Sequence, residues 1–112
     1  MADQSSTLVR NLSDAQEQHA APHPDITTAI VYRLYTEDRF NLGSLTARYF
    51  PGATLFFGDG LWKGEYEKSA TIEIIGTIAD YQSVVFLAGD IKTCNDQSAV
   101  LITKHRVDTF AV

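Results

Sequence analysis

His105, in "AVLITKHRVDTF", and Asp38 with Tyr35, in "YTEDR", are the side chains whose type and setting suit proton transfer. An imidazole titrates near neutral pH and gives or takes a proton without extreme burial. A carboxylate or a phenol does so only when its surroundings move it toward neutrality and it stands within hydrogen-bond reach of the reacting atom. Side chains alternate along a strand, so Leu101, Thr103, His105, Val107 and Thr109 share one face, with Ile102, Lys104, Arg106 and Asp108 on the other. The first face carries less charge and is expected to point inward, taking His105 with it. Asp108 then points the opposite way and forms no dyad with His105. The plainer alternatives are an imidazole at a rim or interface, and an Asp38 that caps a helix beside Arg39.

Other chemistries lack their residues. His19 and His23 have the spacing of a helical metal pair, but Pro22 stands between them. Cys94, in "KTCNDQ", has no second cysteine to pair with and is expected to be a free surface thiol. Gly58-Asp59-Gly60 lacks the lysine and the helix of a phosphate loop and suits a turn instead. Neither a metal nor a cofactor is expected.

Elements must then position these groups. Ile26, Ile30, Val31 and Leu34 recur at helix-like spacing and predict a first helix from Pro24-Asp25 onward. A short second helix follows through Leu42, Leu45 and Tyr49, capped by Thr36 or Asp38 and ended by Pro51-Gly52. "ATLFF" predicts a strand, Gly58-Asp59-Gly60 a hairpin reversal, and "LWKG" the returning strand that brings Trp62 near Phe56 or Phe57. "EYEKSATIEIIGTIADY" predicts a third helix through Ile72, Ile75 and Ile78. "SVVFLAGDIKT" and "SAVLITKHRVDTF" predict two long strands joined at "CNDQ". The fold class is α+β. Residues 1–23 form a polar tail, with a thin amphipathic pattern at Leu8, Val9 and Leu12, and "APHP" separates it from a domain over residues 24–112.

The 112 residues suit one domain, and with a single cysteine that domain must rest on its apolar core. The net charge of −5 and nine scattered Lys and Arg argue against a nucleic-acid partner, since Lys104-His105-Arg106 is too short for a basic patch. No apolar run has membrane-spanning length, and the N-terminus lacks the basic start and apolar stretch of a secretion signal. The expected location is cytoplasmic, with a nuclear one left open.

The predicted order resembles the nuclear transport factor 2-like superfamily, which includes SnoaL-like polyketide cyclases and scytalone dehydratase-like enzymes. The resemblance spans residues 26 to 110 and rests on "YTED" ending the first helix, "LTARYFPGATLFF", the turn into "GLWKG", and "EYEKSA". Tyr49, Phe50, Ala53, Leu55 and Gly64 match the family's apolar segment and the glycine that launches its third helix. It implies a cone-like curved antiparallel sheet packed against about three helices, around a pocket for a hydrophobic ligand. Family members usually add a strand or two beyond "VDTFAV", so the sheet is expected to lack its final strand or strands, which favours a homodimer. "SVVF" stands where scytalone dehydratase carries a pocket histidine, and that departure speaks against its particular dehydration mechanism.

Two functions follow from the resemblance. The first is a cofactor-independent cyclase, isomerase or dehydratase working by general acid–base catalysis on a polyketide- or terpenoid-like substrate. His105, Asp38 and Tyr35 would move protons there, and Tyr49, Phe57, Trp62, Phe86, Leu101 and Thr103 would bind the substrate. The second is a non-catalytic binding or dimerisation module similar to nuclear transport factors, with Trp62 on an exposed apolar patch. An enzyme requires a closed pocket holding His105 with a carboxylate or tyrosine; a binding module requires aromatic side chains clustered outside.

Overall fold

Thr27, Thr28, Ile30, Val31 and Thr36 are β-branched and Tyr32 and Tyr35 aromatic, a composition that favours pleated backbone. In the computed structural model, which describes residues 26–39 and 41–112, Thr27–Glu37 is accordingly strand β1. The polar tail expected over residues 1–23 and the His19–His23 pair lie outside the described residues. A helix was the expectation for this stretch, and the reason it fails is that the start of the strand is buried on both faces, Ala29 and Val31 on one and Tyr32 on the other. Ala29, Val31, Tyr32, Leu34 and Thr36 are all buried, so the apolar run is nearly continuous and its spacings match a helix by coincidence.

Helix α1, Leu42–Ala47, is the short second helix of the sequence. Its last turn tightens where the Tyr49 and Phe50 amides both donate to the Thr46 carbonyl, each at 3.0 Å, ahead of Pro51. Asn41 precedes it without a side-chain cap, so neither Thr36 nor Asp38 plays the capping part expected of it. Thr36 is buried inside β1 instead.

Strands β2, Thr54–Trp62, and β3, Glu65–Gly76, form a hairpin in unbroken register from Thr54 opposite Glu73 to Trp62 opposite Glu65. The reversal falls at Lys63-Gly64 rather than at Gly58-Asp59-Gly60. Both residues have positive φ, 51° and 83°, which is what a two-residue type I′ turn demands of its central pair. Gly58, Asp59 and Gly60 stay inside β2, opposite Ser69, Lys68 and Glu67. Trp62 therefore lies on the same strand as Phe56 and Phe57 and does not return beside them. The expected third helix is β3: Ala70, Ile72 and Ile74 alternate into the core, while Ile75 and Ile78 are exposed.

After β3, a capping box turns the chain. The Thr77 amide donates to Asp80 Oδ2 at 2.8 Å, and the Ala79 amide to Thr77 Oγ1 at 3.2 Å. A 3₁₀ turn, Ile78–Asp80, leads into helix α2, Tyr81–Asn95. Gly76 permits this approach, because a Cβ there would lie 2.3 Å from Asp80 Oδ2. The strand expected over "SVVFLAGDIKT" is thus a helix, whose buried side is Val84, Leu87, Ala88, Ile91 and Asn95. It stops at Asp96 in the left-handed conformation, φ 54°. Strand β4, Leu101–Thr109, is as expected.

The sheet is open, antiparallel and four-stranded, in the order β2-β3-β1-β4. With the chain order β-α-β-β-α-β, this is split β-α-β connectivity of ferredoxin-like type. Two α-helices, not three, are found among the described residues, and the element order on which the family resemblance rests is not the one present. Both helices pack on one sheet face. Tyr32, Leu34, Ala70, Ile72 and Ile74 meet Leu42, Leu45, Phe50, Val84, Leu87 and Ile91 there in a single core. On the opposite face Arg33 Nε bridges Glu73 across the β1–β3 pair at 2.9 Å. Residues 28–107 form one compact unit. Thr27 and residues 108–112 belong to another, in which Thr109 Oγ1 donates to the Thr27 carbonyl at 3.1 Å.

Candidate functional site

The ends of β1 and of the hairpin, the loop after α2 and the start of β4 border an open cleft of about 750 Å³. Tyr35, Thr36 and Glu37 come from β1, Trp62, Glu67 and Ser69 from the hairpin, Asp96, Gln97, Ser98 and Ala99 from the loop, and Leu101 from β4. Strand register sets most of this. Glu37 is opposite Ser69, so Glu37, Tyr35, Ser69, Glu67 and Trp62 all project from the sheet face away from the helices.

A buried amide holds the loop side of the cleft. Asn95 Nδ2 donates to the Glu37 carbonyl at 3.1 Å, to Thr36 Oγ1 at 3.2 Å and to Gln97 Oε1 at 2.8 Å. Thr36 Oγ1 and the Glu37 amide also donate to Gln97 Oε1, and Gln97 Nε2 donates to the Ala99 carbonyl. Arg39 pairs with Glu37 at 3.3 Å and donates to the Asn95 carbonyl. These bonds fix the chain where α2 ends, next to the end of β1. Glu37, Glu67 and Asp96 give the cleft a carboxylate rim; Tyr35, Trp62 and Leu101 give it apolar surface. Among the described residues, no group of His, Cys, Asp and Glu is placed to hold a metal ion.

The cleft thus unites Tyr35, Trp62 and Leu101 of the residues singled out in the sequence. The others lie elsewhere. Ile102, not Leu101, packs on the core, so the β4 face expected to point inward is the one turned away from the helices, and His105 and Thr103 are exposed on it outside the cleft. Asp38 is exposed just past β1, its amide bonded to the Lys68 carbonyl. Tyr49 is half-buried against the core and donates to Asp90 Oδ2 at 2.6 Å. That hydrogen bond, then burial, raises the phenol above its usual pKa. Tyr32 is fully buried, donates to the Thr77 carbonyl at 2.7 Å, and is raised first by burial and then by Asp80. Phe86 is exposed on α2 and Phe57 on the hairpin. The sequence did not mark Glu67, Ser69 or the loop after α2 as site residues, because their convergence depends on β1 and β3 being paired strands.

A second feature is the hairpin itself. Toward its turn it carries no core: Leu61 and Trp62 are each 65% exposed and Tyr66 79%, and nearer the middle Phe57 (59%, opposite the buried Ala70) and Phe56 are exposed too. Lys63 Nζ lies 5.7 Å from the Trp62 ring centre and covers only part of it. No family model, no curated protein and no solved structure matches the chain.

Proposed function

We propose that this protein is a binding module and that the β2–β3 hairpin is its docking element. The observation that carries the proposal is the exposure of Phe56, Phe57, Leu61, Trp62 and Tyr66 on one arm of the sheet. Phe57, Leu61 and Tyr66 share one face of the arm and Phe56 and Trp62 the other, and large apolar side chains left in water on one element mark a contact surface. Aromatic side chains are also the commonest anchors of such surfaces. Acid–base catalysis by His105 and Asp38 is not carried forward, because both are exposed and neither borders the cleft. Trp62 is the single tryptophan, so its emission reports on the arm directly. In dilute solution it is expected to emit as an indole in water and to shift to shorter wavelength when the arm is covered. Leu61→Ser with Tyr66→Ser should abolish that shift and weaken binding of an apolar dye. Emission of a fully buried indole at every concentration, with dye binding unchanged in the double variant, would overturn the proposal.

The cleft supports a second function, uptake of a small hydrophobic ligand between Tyr35, Trp62 and Leu101. Its test is a thermal-shift screen of polyketide- and terpenoid-like compounds, in which a stabilising ligand should lose its effect in Tyr35→Ala. Absence of any stabilising compound would leave the arm alone.

A further inference from the structure

The two outermost strands of the sheet differ in how they are guarded. β4 carries Lys104, His105, Arg106 and Asp108 along its length. β2 carries only Asp59, contains no proline, and keeps residue-for-residue register with β3, so no bulge twists it away. Natural edge strands are protected by charge, proline, bulges or shortness, and a long apolar edge without them is a template for another strand.

Backbone geometry says which groups that edge offers. The two-residue turn at Lys63-Gly64 makes Trp62 and Glu65 the closing hydrogen-bonded pair, and the bonds to β3 recur at every second residue: Gly60, Gly58, Phe56 and Thr54. Ser69 Oγ, lying 3.4 Å from the Gly58 carbonyl, agrees with that carbonyl pointing toward β3. Leu55, Phe57, Asp59 and Leu61 therefore turn their amides and carbonyls outward.

We infer that the partner of this arm is a second copy of the chain, joined β2 to β2 in antiparallel register about Gly58; the inference rests on the hairpin being the docking element. The strand's own sequence selects the copy and the register. Pairing about Gly58 is the one alignment in which all nine residues of Thr54–Trp62 find a partner, a seam about 30 Å long at roughly 3.4 Å per residue. It sets Leu55 opposite Leu61 of the second copy, and Phe56 opposite Gly60, where an aromatic ring covers a bare edge glycine. It places the outward groups of Phe57 opposite those of Asp59. Shifting the centre one residue toward the turn would set Asp59 against itself, and one residue the other way would set Asp59 against Leu55 and leave Leu61 and Trp62 outside the seam. With the centre at Gly58, each Asp59 faces a phenylalanine and keeps its ion pair to Lys68 at 3.6 Å. Gly58 has no atom within 4 Å of where a Cβ would be, so a side chain introduced there meets no obstruction. The paired residues share faces, so the two sheets join into one of eight strands with all helices on the same side.

The test combines sedimentation, cross-linking and Trp62 emission on the full chain. A concentration-dependent dimer is expected, and Leu61→Lys and, independently, Asp59→Pro should each weaken it by about tenfold or more, whereas Thr103→Lys on β4 should leave it intact. In a Cys94→Ser background, Gly58→Cys should form a disulfide-linked dimer under mild oxidation, because the non-hydrogen-bonded pair brings those residues close, and Thr54→Cys should not. A dimer insensitive to both β2 variants, or one that cross-links equally through Thr54→Cys, overturns the seam. A monomer whose Trp62 emits as in water overturns self-pairing but leaves the arm as a docking element for another protein. A monomer whose Trp62 emits as a buried indole removes both proposals.

Discussion

One ladder of paired residues runs through two environments in this protein. At its inner end Leu55 and Ile72 face each other beneath the helices, with Leu34 on the other side of Ile72, and Ile72 has no exposed surface. At its outer end Leu61 and Tyr66 face each other in the same geometry, and both stand in water. The hydrogen-bond pattern and side-chain alternation are shared, so backbone structure does not distinguish a core segment from a contact segment. What distinguishes them is whether α1 and α2 reach over the strand. The inner half of the ladder is held by burial; the outer half is held by its turn and by main-chain bonds.

Substitutions along the ladder should separate these roles. Ile72→Ala removes a fully buried side chain and is expected to cost about 2–5 kcal/mol in a urea titration, unfolding much of the population at modest denaturant. Asn95→Ala, which strips the Glu37 carbonyl and Thr36 of a buried donor, should cost about 1–3 kcal/mol by the same measurement and should loosen amide-exchange protection at residues 96–99. Tyr32→Phe removes the donor to the Thr77 carbonyl and should cost about 1 kcal/mol. That variant also carries a sign in pH. The Tyr32 phenol is raised above its ordinary value of 10.0, so the neutral form is favoured in the folded state. Its contribution is full below pH 10 and declines as pH rises through the folded value. Alkaline denaturation should therefore be less steep in Tyr32→Phe, and equal steepness would assign the effect elsewhere. At the small end, Leu61→Ser should change monomer stability by no more than about 0.5 kcal/mol. A loss as large as that of Ile72→Ala would mean the two ends of the ladder are not different after all.

The α+β class, α1, the strand beginning at Thr54 and the strand over Leu101–Thr109 are legible in the sequence, because each is bounded by strong local signals such as Pro51-Gly52 or the turn residues near Asn95-Asp96. The other elements are not, and for opposite reasons. β1 buries Ala29 and Val31 on one face and Tyr32 and Leu34 on the other, which breaks the two-residue period of a strand in its first half. In α2, Val84-Val85-Phe86 favours a strand on local propensity, and only packing of Val84, Leu87, Ala88 and Ile91 against the sheet overrides it. Tyr35, Trp62 and Leu101 stand out in the sequence as aromatic or apolar candidates, but strand order is what brings them to one cleft. Their neighbours Glu67 and Gln97 are ordinary polar residues that become cleft residues only through strand order.

The position of β1 has a further consequence. It lies between β3 and β4, both made later in the chain, whereas the hairpin needs only its own two-residue turn. Contacts close in sequence form before distant ones. During synthesis the arm with its bare aromatic rings is therefore complete, and β3 available to the first strand, while β4 and the longer helix have yet to be made. Slow elongation past Gly76 lengthens that interval, and the yield of correctly folded chain should rise when residues downstream emerge quickly.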